Sequence, residues 1–271
     1  MKFKDILKRA ITGFIFLIVL ISSILYSPYT LTFIFLVVLI LGNAETNRMI
    51  SIPTIHPQLF LSGVLTKLVY LLPVGYFLGL FEFKWILLVL IPLIFIPIVE
   101  LFRNLKNPMA NIAYSILPST YLGIPLAALI AIAWHDGVYN PYLVLGLFIV
   151  IWVYDTGAYL LGTMFGKHKL FERISPKKTW EGAIGGGIVA VLTATFVLGH
   201  YIPHLSAIQW LIASVLIVVF GTFGDLMESM LKRSAGVKDS GNILPGHGGI
   251  LDRFDSAFTA SVVFWLYLQF I

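Results

Sequence analysis

Between Ser229 and Asp255 the chain reads SMLKRSAGVKDSGNILPGHGGILDRFD, a polar stretch flanked on both sides by apolar runs. Lys232, Arg233, Lys238 and Arg253 can neutralise an anion. Asp239, Asp252 and Asp255, with Asp225 and Glu228 just upstream, offer carboxylate oxygens to a hard cation. Gly241, Gly246, Gly248 and Gly249, with Pro245, describe a turn-rich loop whose bare backbone can approach a phosphate. Bases, carboxylates and open amides together are what chemistry on a metal–nucleotide complex requires. Membrane topology alone would explain a basic loop, but not carboxylates at the ends of hydrophobic helices, where charge is expensive and usually functional.

Spacing refines this. Asp225 and Glu228 stand at i, i+3, with Lys232 seven residues beyond Asp225 on the same helix face, and Asp252 and Asp255 repeat the i, i+3 interval. Two helix ends entering from one loop would bring Asp225, Asp252 and Asp255 around one cation. An oxygen-only donor set favours Mg²⁺ over zinc and leaves a second cation open. His247, in PGHGG, suits a phosphate contact or the ordering of the loop. Upstream, Asp155 lies deep in an apolar run with Tyr159 one turn on, a costly position unless the carboxylate is paired, hydrated or on a metal. In GKHKLFERISPKKTWEG, Ser175 and Pro176 read as N-cap and first residue of a helix. That would set Lys177 and Lys178 on a first turn that already favours anions, as a phosphate or nucleotide clamp. The competing reading anchors both lysines to anionic headgroups, with Trp180 at the interface. Gly185, Gly186 and Gly187 read as a close helix-packing surface. Glu45 with Arg48, and Glu100 with Arg103, are expected as i, i+3 interfacial ion pairs.

The elements that must position these groups are transmembrane helices. The chain is 59% hydrophobic and 11% charged, with a mean hydropathy of +0.94, far from soluble-domain composition. Apolar runs of near-spanning length lie at about 10–27, 30–47, 59–81, 85–102, 112–134, 141–164, 180–200, 207–229 and 250–271. Turn signals separate them, among them Ser27–Pro28, Ser51–Ile52–Pro53, Asn107–Pro108 and Ser175–Pro176. The fold class expected is therefore an all-α polytopic membrane protein of about nine transmembrane helices. Placing the N-terminus in the cytoplasm puts all but Lys67 and Lys84 of the 18 lysines and arginines inside. That follows the positive-inside rule and leaves the C-terminus external. The basic head and first apolar run resemble a signal peptide but lack a small-x-small cleavage site, so a retained first helix is expected. The net charge of +5 follows topology and carries no argument for nucleic acid. With no cysteine, thiolate ligands, disulfides and a cysteine nucleophile are excluded. The chain divides into 1–140, poor in intramembrane charge, and 141–271, which carries the polar groups.

The motif residues carry a resemblance. Ser229, Lys232–Arg233, Lys238–Asp239, Gly241, Pro245, His247–Gly248–Gly249, Asp252–Arg253 and Asp255, with Asp155–Tyr159 and the SPKKTWEG segment, resemble the signature of the phosphatidate cytidylyltransferase (CDP-diacylglycerol synthase) family. The likeness covers about the last 120 residues; 1–140 agree in general character only. It implies transfer of a cytidylyl group from CTP to phosphatidic acid, giving CDP-diacylglycerol and pyrophosphate with Mg²⁺, at the cytoplasmic face of the inner membrane. On that reading Asp225, Asp252 and Asp255 hold the metal, with Lys232 and Arg233 catalytic. Ser175, Lys177, Lys178, Lys238, Asp239, His247, Gly248, Gly249, Arg253 and Asp155 bind substrate. The partners would be CTP, phosphatidic acid and the bilayer, with a homodimer left open. The rival classes are a CTP-dependent lipid-alcohol kinase, which needs a base for its neutral nucleophile, and an ion-coupled transporter, for which no inverted repeat is visible.

Overall fold

The computed structural model describes residues 3–50 (side chains from residue 11), 54–243 and 248–271. The expected turn at Ser51–Pro53 and the loop residues Pro245, Gly246 and His247 lie outside the described residues. Contacts divide the chain into two compact units.

Met1–Ala131 and Ser234–Arg253 make the first unit, so the segment after Ser234 clusters with the N-terminal helices. Helices α1 (Phe3–Tyr26) and α2 (Pro28–Ile50) are separated at Ser27. Its hydroxyl accepts from the Thr30 amide (3.2 Å) while the Thr30 hydroxyl accepts from the Ser27 amide (3.1 Å), a reciprocal cap. Helix α3 (Leu59–Phe77) stops short of the expected residue 81, because Gly79 adopts φ +71° and turns the chain. A 3₁₀ turn, Phe83–Val89, leads into α4 (Leu90–Arg103). Next come α5 (Pro108–Pro118), a π turn at Ser119–Gly123 and α6 (Ile124–Ala133) as one interrupted rod. The expected Glu100–Arg103 pair is present at 2.9 Å, but it is one part of a buried knot. Glu100 also accepts from Asn111 (2.6 Å) and Gln58 (2.9 Å), while Arg103 donates to the His56 carbonyl (2.7 Å).

The second unit comprises Ile132–Arg233 and Phe254–Ile271. Helix α7 (Pro141–Phe165) is capped by the Asn140 side chain, which accepts from the Tyr142 amide at 3.1 Å. A short antiparallel hairpin follows, β1 (Lys169–Phe171) and β2 (Ser175–Thr179), pairing Lys169 with Thr179 and Phe171 with Ser175. The chain then forms α8 (Trp180–Leu192), a π turn at Thr193–Leu198, α9 (Gly199–Tyr201), α10 (Ala207–Ser234) and α11 (Leu251–Leu268). Helices α7 and α8 approach through small residues four apart. A Cβ on Gly182 would lie 2.6 Å from the Ala158 carbonyl oxygen, and one on Gly186 would be 2.8 Å from Tyr154 O and would strike the Ala158 backbone. Gly182 and Gly186 thus pack against backbone, and Gly185 packs against Leu161, where a Cβ would lie 2.6 Å from its Cδ1, whereas Gly187 would meet Val218 at an ordinary 3.4 Å. Helix α10 comes equally close to α11 at Gly224, where a Cβ would stand 2.5 Å from the Asp255 carbonyl oxygen.

Nine helical rods among the described residues follow the nine apolar runs. Seven are long and apolar enough to cross a membrane, while α1 has a shorter apolar stretch, Ile11–Tyr26. Helix α11 is the exception on composition, since Asp252, Arg253 and Asp255 sit in its first turns. The chain is an all-α polytopic membrane protein.

Candidate active site

The polar groups of the second unit gather where the hairpin meets α7 and α10. The expected helix start at Ser175–Pro176 is corrected here: Ser175, Lys177 and Lys178 lie on strand β2, and the helix begins at Trp180. Thr179 is the cap, its Oγ1 accepting from the Gly182 amide at 3.2 Å. Both strands of a two-stranded hairpin are edges, so the missing N–H of Pro176 leaves no ladder partner orphaned. Glu181, on the first turn of α8, pins the base of the hairpin by accepting from the amides of Lys167 (3.0 Å) and His168 (3.2 Å) and pairing with His168 Nδ1 (2.6 Å).

This hairpin delivers Lys178 to Asp225 of α10, with which it forms a close ion pair. Burial works against the lysine's charge, but the Asp225 carboxylate more than offsets it and holds the Lys178 pKa above its ordinary value. Lys178 is thus an ammonium at neutral pH. The other Asp225 oxygen accepts from Ser229 at 3.3 Å. Asp255 lies within electrostatic reach of Asp225, Glu228 and Asp155, so four carboxylates share one field. Glu228 is fully buried and paired with Lys232 one turn on. The Lys232 charge, expected on substrate, is in this structure largely taken up by Glu228. Tyr154, beside Asp155, accepts at 2.6 Å from the Thr222 hydroxyl, which also faces the Val218 carbonyl.

A cavity of about 630 Å³ opens among these groups, lined by Asp155, Tyr159, Lys169, Lys177, Lys178 and Asp225. Beside it runs an apolar groove of about 780 Å³ between α8 and α10, walled by residues such as Ile184, Ile188, Val215 and Phe223. Tyr154, Leu170 and Ala183 line both. Lys169 and Tyr154 are cavity residues that sequence reasoning passed over. Lys169 stands in the same basic loop as Lys177, and Tyr154 adjoins the conspicuous Asp155.

Of the signature segment, Ser234 to Arg253 belongs to the first unit, while Ser229, Lys232 and Arg233 belong to the second. Lys238 and Asp239 are exposed in the loop after α10, Arg233 is exposed at the end of that helix, and Arg253 is exposed on the first turn of α11. Gly248 adopts φ +86°, a left-handed conformation that suits glycine. Asp252 Oδ2 accepts from the Gly249 amide (2.8 Å), the Ser240 amide (3.1 Å) and the Ser240 hydroxyl (3.0 Å), which organises the loop. Glu45, expected to pair with Arg48, turns instead to this segment and accepts from Ser240, Ile250 and Leu251. Buried amides and a hydroxyl at the start of α11 need an acceptor, whereas Arg48 on the exposed face of α2 is free to be solvated by water. Among the described residues no three His, Cys, Asp or Glu side chains form a preassembled metal cage.

The model of the cytidylyltransferase family matches residues 7–271. Among curated proteins, the chain is 36% identical over 255 residues to a phosphatidate cytidylyltransferase of Staphylococcus haemolyticus, covering 92% of this chain and 93% of that one. It is 42% identical over 172 residues to a phosphatidate cytidylyltransferase of Haemophilus influenzae, 61% of this chain and 59% of the relative. It is 51% identical over 115 residues to one of Staphylococcus aureus, 42% of this chain and 44% of the relative. In the Haemophilus and S. aureus comparisons the aligned part is less than two thirds of the relative's length, whereas in the S. haemolyticus comparison it is nearly all of it. With a match along almost its whole length, the chain belongs to the cytidylyltransferase family.

Proposed function

We propose that the chain transfers a cytidylyl group from CTP to phosphatidic acid, yielding CDP-diacylglycerol and pyrophosphate, at a site facing the cytoplasm in the bacterial inner membrane. The observation that carries this reading is the adjoining pair of spaces in the second unit. A cavity with lysines and carboxylates suits a phosphate, and the apolar groove beside it suits an acyl chain. A lipid phosphate is the substrate that needs both.

The chemistry asks little of a base. The phosphate of phosphatidic acid is already anionic, so an oxygen lone pair attacks the α-phosphorus of CTP directly. As that P–O bond forms, the bond from the α-phosphorus to the oxygen bridging to the β-phosphorus breaks. Its electron pair leaves with pyrophosphate. The protein's work is to bring two polyanions together and to stabilise charge on the transferring group. Lys178, held as an ammonium, and Lys177 and Lys169 beside it face the cavity for that purpose. Tyr159 and Asp155 line the same cavity from α7. The family signature implies Lys232, Arg233, Lys238 and Arg253 as further phosphate contacts, with Glu228 competing for Lys232.

The donor chemistry suits a hard divalent cation such as Mg²⁺. Asp225 and Asp255 present carboxylate oxygens within each other's field, and a cation there would share Asp225 with the ammonium of Lys178. Asp252 is the third acid that the signature implies. Mg²⁺ is commonly held by one or two carboxylates together with substrate phosphates, so Asp225 and Asp255 would hold it jointly with bound CTP. When bound, the ion neutralises charge on the triphosphate.

The test uses purified protein in detergent with phosphatidic acid, Mg²⁺ and CTP labelled at the α-phosphate. Label should enter the organic-extractable lipid, and EDTA or Asp225→Asn should abolish the transfer. Transfer of γ-phosphate label to a lipid alcohol, with none from the α-position, would replace this reading with a kinase.

A further inference from the structure

Glu45 stands on α2, about 200 residues from the signature, yet its side chain is completely buried against that segment. A carboxylate inside a protein is costly unless hydrogen bonds fill its lone pairs. Oε1 accepts from the Ile250 amide at 2.9 Å, and Oε2 accepts from the Leu251 amide at 3.1 Å and the Ser240 hydroxyl at 2.9 Å. The two amides open α11, where a helix leaves N–H groups without intrahelical partners and where its dipole favours negative charge. Ile250 and Leu251 have no side chain able to cap, so a residue from α2 does it.

The fit is tight. A Cβ on Gly241 or on Gly249 would collide with the Glu45 carboxylate, and one on Gly249 would also strike the Ser240 hydroxyl. These two signature glycines admit a carboxylate from another helix, a reason for glycine that differs from the approach of a phosphate.

Ser240 connects Glu45 to the signature acid Asp252. Its hydroxyl lies 2.9 Å from Glu45 Oε2 and 3.0 Å from Asp252 Oδ2. One hydroxyl proton serves one carboxylate at a time. When Glu45 takes it, Asp252 Oδ2 is held by the backbone amides of Ser240 and Gly249, which fix the carboxylate's orientation. We infer that Glu45 is a positioning residue: it fixes Ser240 and the start of α11, and through them sets the orientation of Asp252 for nucleotidyl transfer. The catalytic half of this inference rests on the proposed reaction; the clamp itself does not.

Two readouts test it. Glu45→Gln keeps the size of the side chain but replaces one acceptor with a donor. In the transfer assay kcat should fall about 10- to 100-fold, the scale typical when a group supporting a ligand or catalytic side chain is lost, with KM for CTP within about threefold. In ligand-free protein, hydrogen exchange should rise in residues 248–254 while the rest of the chain stays unchanged. Ser240→Ala should lower kcat similarly, and the double variant should be no worse than Glu45→Gln alone, because both act through one path. Unchanged kcat in Glu45→Gln would overturn the inference. So would losses that multiply in the double variant, or exchange that rises along the whole chain, since those are the marks of general destabilisation. If Glu45→Gln fails to fold, Ser240→Ala alone decides: wild-type kcat with wild-type exchange at 248–254 overturns the inference. A wild-type protein that transfers no label would overturn the reaction and the catalytic half together, while the exchange experiment still reads the clamp.

Discussion

Gly182→Ala should uncouple activity from folding in a way that its neighbour Gly187→Ala does not. A Cβ at 182 would lie 2.6 Å from the Ala158 carbonyl oxygen, 2.9 Å from Gly162 Cα and 3.1 Å from Thr179 Oγ1. Two of these are backbone atoms that cannot rotate away. Restoring an ordinary 3.4 Å contact with the carbonyl requires α8 to retreat from α7 by about 0.8 Å, the difference between 3.4 and 2.6 Å. Overpacking of this kind costs about 1–3 kcal/mol of stability. Ala158, Gly162 and Thr179 all line the polar cavity, so the same retreat shifts Lys178 relative to Asp155. A displacement of about 1 Å at a reacting centre can cost on the order of 100-fold in rate, or roughly 2.7 kcal/mol of barrier. At 187 the nearest atom is Val218 Cγ1 at 3.4 Å, so alanine fits and gains up to about 1 kcal/mol in helix propensity. The assay is the initial rate of α-label transfer to lipid, with thermal unfolding followed in the same detergent. Gly182→Ala should lose about 10- to 100-fold in rate and a few degrees in unfolding temperature, and Gly187→Ala should match wild type. A Gly182→Ala rate within twofold of wild type, or an equal loss in Gly187→Ala, would refute the packing argument.

Other perturbations address separate links. Because the folded pKa of Lys178 is raised, its contribution to stability is present in full below the ordinary lysine value of about 10.4 and is lost only as pH rises through the higher folded value. The difference in unfolding temperature between wild type and Lys178→Met should therefore stay constant from about pH 7 to 9, and a difference that disappears in that interval would contradict the assignment. Thr179→Val should cost about 1 kcal/mol by removing the cap of α8, while Thr179→Ser should restore most of it, read by thermal unfolding. The native chain has no cysteine, so a single Lys238→Cys substitution gives clean topology labelling. An impermeant thiol reagent should reach it only from the cytoplasmic side of sealed vesicles; labelling from outside would invert the proposed orientation.

The helical rods were legible because a membrane span announces itself by length and apolarity without needing a periodic pattern. The hairpin was not. Ser175–Pro176 carries the marks of a helix start, but proline is equally at home on an edge strand, and Thr179 four residues later is an equally good cap. Lys232 shows a competition within one helix. Its seven-residue interval from Asp225 places both on one face, yet Glu228 at i−4 is nearer and takes it. Glu45 marks the limit of local reading. Arg48 is its natural partner by spacing, whereas the groups that hold it lie 195 to 206 residues away. The basic loop, Asp155 and the carboxylates of α10 and α11 were visible as site candidates because charge in so apolar a chain is scarce.

The reach of Glu45 also bears on how the protein is made. Helix α2 enters the bilayer while Ser240, Ile250 and Leu251 are still untranslated. At about 5–20 residues per second, the 195-residue interval to Ser240 takes roughly 10–40 s. For that time the carboxylate must stay hydrated at the interface or lean on the insertion machinery. Helix α11 then completes a contact begun by α2. A ribosome-stalled chain ending before Ser240 would therefore expose a membrane helix with an unanswered acid, the kind of feature that quality-control proteases can detect. A chain truncated before Ser240 thus leaves the Glu45 carboxylate without the partners that hold it in the folded protein.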